Sequence, residues 1–109
     1  MQLRLPATLL AALVISTSAF AQSITTIEEA HRSYHAAQYG RSLALYLQLA
    51  TEGDAEAAER AGFMLLLGGI VYGTQVDRDV DSAKQLLLQA ARSGRSGASV
   101  VLTLLEATD

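Results

Sequence analysis

The chain has no cysteine, no tryptophan and one proline, Pro6, among its 109 residues. Only 6% of it is aromatic and 17% charged. Without cysteine no disulfide can staple the fold, so it must hold by packing alone, and no lipid can be attached through a thiol near its N-terminus. With no proline after position 6, helix is permitted over the rest of the chain. Alternating β-branched residues are almost absent, so strands are not expected. Eight basic against eleven acidic side chains give a net charge of −3. There is no basic stripe and no ladder of aromatics, which excludes nucleic acid as a partner.

What is present begins with a leader. Residues 1–21 carry Arg4, an apolar run over 7–15 and the small tripeptide Ala19-Phe20-Ala21 before Gln22, the pattern of a secretory signal peptide. About nine apolar residues fall far short of the roughly 20 that span a bilayer. Cleavage is expected after Ala21. Residues 22–109 would then form one small domain, soluble in a periplasm-like space or outside the cell and free of the membrane.

In that domain alanine and leucine dominate segments of helical length. The sequence predicts a first helix capped by Thr25 with Glu28 three residues on, its apolar stripe formed by Ile24, Ile27, Ala30, Tyr34 and Ala37. Tyr39-Gly40 is expected to break it. A second helix with Leu43, Tyr46, Leu47 and Ala50 on one side stops at Gly53. Asp54 caps a third over residues 55–67, small in its first half and bulky in its second. Gly68-Gly69 and Gly73 mark a loop, Asp79 or Asp81 caps a fourth helix ending at Ser93-Gly94, and a fifth covers residues 96–106. Five helices on short turns predict an all-α fold of antiparallel helical hairpins.

An offset of 41 residues superposes Leu45 on Leu86, Gln48 on Gln89, Ala50 on Ala91, Gly53 on Gly94 and Ala57 on Ala98. That period, built from two helices, is the signature of an α-solenoid. LATEGDAEAAERAGFML followed by VDRDVDSAKQLLLQAARSG resembles a Sel-one-like repeat, a relative of the tetratricopeptide repeat. The matching positions are Ala50, Gly53, Ala55, Ala57, Ala61, Gly62, Gly73, Val76, Asp79, Ala83, Ala90, Ala91 and Gly94. The chain departs from the pattern at Gln75, where the family prefers glycine, at Asp77, and in LLLGGIVYG, which lengthens the connection between the helices. The unit that follows is a half: Ala98 matches, Leu102 and Thr103 replace the small pair, and Arg95 stands where Asp54 stands in the first, as suits a terminal capping helix. The resemblance implies a non-enzymatic scaffold, accessory or immunity-type factor that binds another protein without a cofactor.

Chemistry-bearing residues are few. Glu28, His31 and His35 share a helix face at steps of three and four, the basis of an alternative reading as a small metal-binding or enzymatic helical protein. A structural zinc site needs four ligands, however, and no further histidine or any cysteine exists to complete one. The two histidines are better read as surface or partner-facing groups. Asp77-x-Asp79-x-Asp81 fails as a calcium loop, because Ser82 and Leu88 occupy the glycine and glutamate positions. No nucleophile elbow or phosphate loop is present, and Glu56 and Glu59 read as exposed helix positions. No enzyme is expected. Met64 to Val76 carries no charge, so Ile70, Val71 and Tyr72 in the long connection are the candidate partner contacts. Two and a half units leave the stack short of a neighbour, which a protein partner or a second copy would supply.

Overall fold

The computed structural model of the protein describes residues 25–108. The expected leader and Ile24 lie outside the described residues. Among the described residues the architecture is six α-helices and one 3-10 turn: α1 (Ile27–His35), α2 (Tyr39–Thr51), α3 (Ala55–Leu67), α4 (Gly69–Tyr72), the 3-10 turn Gly73–Gln75, α5 (Val80–Arg92) and α6 (Ser96–Thr108). The fold is all-helical, as the composition implies. Helices α1 and α2, α2 and α3, α3 and α5, and α5 and α6 pack as successive pairs, with the α3–α5 hairpin the most extensive contact.

Every described helix except α4 starts where a side chain takes free N–H groups. Thr26, rather than Thr25, caps α1: its backbone is extended and its hydroxyl accepts from the Glu29 N–H at 3.3 Å. Asp54 caps α3 through the Ala57 N–H at 3.0 Å, and Asp79 caps α5 through the Ser82 N–H at 3.1 Å. Helix α2 differs. Tyr39-Gly40, expected to break a helix, opens one, because the Gln75 carboxamide accepts from both N–H groups at 2.8 and 3.2 Å and donates to the Ala37 carbonyl at 3.0 Å. The residue that departs from the repeat pattern thus supplies the cap that Gln38 does not.

Three turns share one hydrogen-bond scheme. Gly53 N–H donates to the Ala50 carbonyl and Asp54 N–H to Leu49, at 3.0 and 3.1 Å; 41 residues later Gly94 donates to Ala91 and Arg95 to Ala90 at the same two distances. Gly53 and Gly94 have φ of 96° and 95°, the left-handed conformation that glycine adopts without penalty. Between α1 and α2 the scheme recurs with Ala37 donating to Tyr34 and Gln38 to Ser33. There Ala37, expected in the apolar stripe, is exposed and held at φ 61°. The turn, and not the stripe, claims it.

Helix α3 sits between two cores. Ala57, Ala61 and Met64 face one cluster with Ala30, Tyr46, Leu49, Tyr72 and Val76. Ala58 faces the other, with Ala50, Leu87, Ala90 and Ala98. Small residues let α5 come close: a Cβ on Gly62 would lie 2.8 Å from Leu87 Cγ and 3.3 Å from the Ala83 carbonyl oxygen. Ala50, Ala57 and Ala83 are buried and Ala91 half-buried, so the repeat positions are packing positions. Full burial of Leu87 contributes about 2 kcal/mol. The expected glycine loop is instead ordered as α4 and the 3-10 turn, and α6 extends past Glu106 to Thr108. Gly68 makes the fold-back possible: it is left-handed at φ 52°, and a Cβ there would strike the Arg78 backbone at 2.5 Å.

Candidate functional site

The first half of the molecule gathers the polar and aromatic side chains. Tyr34, Tyr39 and Tyr72 pack ring against ring, with centroids 4.8 to 5.9 Å apart, and the Tyr34 and Tyr72 hydroxyls share a hydrogen bond of 2.9 Å. Such edge-to-face and tilted pairs add about 0.5–1.5 kcal/mol each beyond the area they bury. Burial, reinforced by the hydrogen bond to Tyr34, holds the Tyr72 phenol far above its ordinary range. Burial likewise raises Tyr46. Tyr72, a candidate partner contact in the sequence, is only 6% exposed. It folds back onto the hairpin, because α4 turns the ring inward.

The same short helix turns its other side outward. Ile70 is 85% exposed and Val71 52%, with Leu67 beside them at the end of α3. The charge-free connection therefore divides: Tyr72 and Val76 are core, whereas Leu67, Ile70 and Val71 face solvent. Leu67 also lines a cleft of about 230 Å³ with Tyr34, Arg60, Phe63, Met64 and Tyr72. Its floor is apolar, and Arg60 supplies the one ionic group.

At one side of α3, His31 Nδ1 is hydrogen-bonded to the Tyr46 hydroxyl, while His31 Nε2 lies 3.4 Å from a Glu56 carboxylate oxygen that Arg60 approaches at 3.6 Å. This relay ties α1 to α2 and α3. His35 is exposed against the edge of Tyr34. The two histidines thus serve different neighbours, and among the described residues no group of three metal-ligating side chains is brought together.

Glu59 is the residue that the sequence reading misplaced. It is 7% exposed. One oxygen accepts from Arg95 Nε and Nη2 at 3.1 and 2.7 Å, and the other accepts from the Ala98 N–H at 3.1 Å. Ala98 corresponds, 41 residues on, to Ala57, the residue whose N–H Asp54 caps. So α6, lacking an acid at Arg95, is capped by a carboxylate from α3, and Glu59 in turn holds the Arg95 guanidinium protonated. Gly97 leaves the room: a Cβ there would lie 3.0 Å from the Glu59 oxygen. An arginine at a capping position, followed by glycine two residues later, was the available signal.

Among the described residues no helix is long and apolar enough to cross a membrane. Comparison with family models, curated proteins and solved structures finds no match.

Proposed function

We propose that the chain is an exported helical-repeat protein of the Sel-one-like kind that binds another protein, as a scaffold, accessory or immunity-type factor. The observation that supports this reading best is the uncharged surface of Leu67, Ile70 and Val71, of which Leu67 also lines the cleft with Phe63 and Met64. Exposed apolar groups gathered in one patch mark a surface that another protein can cover. The cleft suits an apolar side chain of the partner, and Arg60 at its rim suits a carboxylate beside it.

The test is site-specific photo-crosslinking in cells, with the reactive group at Ile70 or, as a control, at exposed Gln85 on α5. A partner captured at Ile70, absent at Gln85 and lost on Val71→Asp is the expected result. No product at Ile70, or identical products at both positions, would overturn the reading.

A further inference from the structure

The sequence sets Arg60, Phe63, Met64 and Leu67 at steps of three and four on one face of α3, and Tyr34 of α1 and Tyr72 of α4 close a cleft with them. Its volume of about 230 Å³ lies below the roughly 300–1,000 Å³ of pockets that enclose a whole drug-sized molecule, so it takes about one side chain. The rings of Tyr34, Phe63 and Tyr72, with Met64 and Leu67, make it apolar. None of the residues lining it is acidic.

Two donors among these residues are left over by the fold. The Arg60 guanidinium carries several N–H groups, and its ion pair with Glu56 is a 3.6 Å contact through Nη2 that leaves the side chain 50% exposed. Tyr34 and Tyr72 supply the second donor. Each hydroxyl carries a hydrogen and the 2.9 Å bond between them uses only one, so the other has no acceptor among the described residues. With Tyr72 only 6% exposed, a ligand group that accepts this hydrogen satisfies a donor that the fold itself does not. A cleft with donors, positive charge and apolar walls, and without an acid, is complementary to an anion bonded directly to an apolar group.

Resting on the reading that this cleft receives the partner, we infer that it receives the partner's C-terminal residue, with an apolar side chain against Phe63 and Met64 and the terminal carboxylate on Arg60 and the unused phenol hydrogen. A chain end carries both groups on one carbon atom. Inside an extended segment successive side chains point to opposite faces, so an acid next to the apolar residue turns away from the cleft. A free amino acid has the carboxylate but also brings an ammonium group, which no acidic residue lining the cleft can take. In a chain that nitrogen is an uncharged amide. Leu67 lines the cleft and also belongs to the exposed surface of Ile70 and Val71, across which the preceding residues of the partner run. The charge of Arg60 selects this occupant over a purely apolar one.

The protein isotopically labelled at its methionine methyl groups reads the cleft by NMR through Met64. The probes are a short acetylated peptide of alanines ending in phenylalanine, once with a free C-terminal carboxylate and once amidated. The expected result is a saturable shift of the Met64 signal by the free acid, with the amide binding about tenfold or more weaker, the difference that a charge-assisted hydrogen bond makes. Arg60→Gln is expected to weaken the free acid by a similar factor and to leave the amide unchanged. No shift from the free acid, equal binding of acid and amide, an Arg60→Gln variant that binds the acid as the wild type does, or free phenylalanine binding as tightly as the peptide would each overturn the inference. The crosslink at Ile70 separates it from the protein-binding reading. A partner captured there while acid and amide bind alike overturns the C-terminal inference alone, whereas no capture at Ile70 overturns the reading on which it rests.

Discussion

The turn before α3 and the turn before α6 are the same backbone with different chemistry. Both place glycine in the left-handed region and make the same pair of hydrogen bonds, at matching distances. Yet α3 is capped from within by Asp54, and α6 from across the interface by Glu59. A local cap forms with its helix and asks nothing of the rest of the fold. A cap from a neighbour exists only after the two helices have docked, so the second joint couples helix formation to packing.

That contrast sets the order of expected effects. Glu59→Ala leaves the Ala98 N–H and the Arg95 guanidinium without their acceptor, and is expected to cost about 2–3 kcal/mol in denaturant unfolding. Arg95→Asp added to Glu59→Ala rebuilds the Asp54 arrangement in place, and should recover about 1 kcal/mol of that loss. Gly62→Ala pushes a methyl group into Leu87, and should destabilise by about 1–2 kcal/mol. At the corresponding position of α6, Thr103→Ala removes only an exposed hydrogen bond to the Ser99 carbonyl within the helix and should stay within about 0.5 kcal/mol. Asp54→Ala removes only a local cap and is expected to cost about 1 kcal/mol. At the third turn Ala37 is held where glycine sits in the other two, so Ala37→Gly should stabilise the fold by about 0.5–1 kcal/mol, read as a raised Tm.

The two halves also part in their response to pH. All four tyrosines lie in α1, α2 and α4. The raised phenols of Tyr46 and Tyr72 mean that the folded chain keeps protons the unfolded chain releases above pH about 10, so their contribution is complete below that pH and is lost as pH rises further. Tyr72→Phe should flatten this alkaline decline in stability, followed by thermal melting. Asp79 acts at the other limit. The Ser82 hydroxyl and N–H hold its carboxyl below the usual range, so its contribution is present above pH about 4 and falls away in stronger acid, a loss that Asp79→Asn should remove.

The five expected helices, their order and the 41-residue offset were legible, and α4 was not, because the former depend on local signals: Asp54 and Asp79 before helical runs, Gly53 and Gly94 after helix ends, and small residues at that offset. Residues that act across the fold were not. Gln75 caps a helix that begins 36 residues earlier, and this hid the start of α2 behind what looked like a Tyr-Gly break. Glu59 looked like any solvent-facing glutamate, since its burial depends on α6 returning to it. Tyr72 and Val71 are adjacent in a charge-free stretch, and only the single turn of α4 decides that one is core and the other surface.

The cap from a neighbour is tested most directly by amide hydrogen exchange at Ala57 and Ala98 in Asp54→Ala and Glu59→Ala, read by NMR under conditions where both variants remain folded. Glu59→Ala should accelerate exchange at Ala98 and leave Ala57 unchanged, while Asp54→Ala should do the reverse. An Ala98 amide indifferent to the loss of Glu59 would contradict the account.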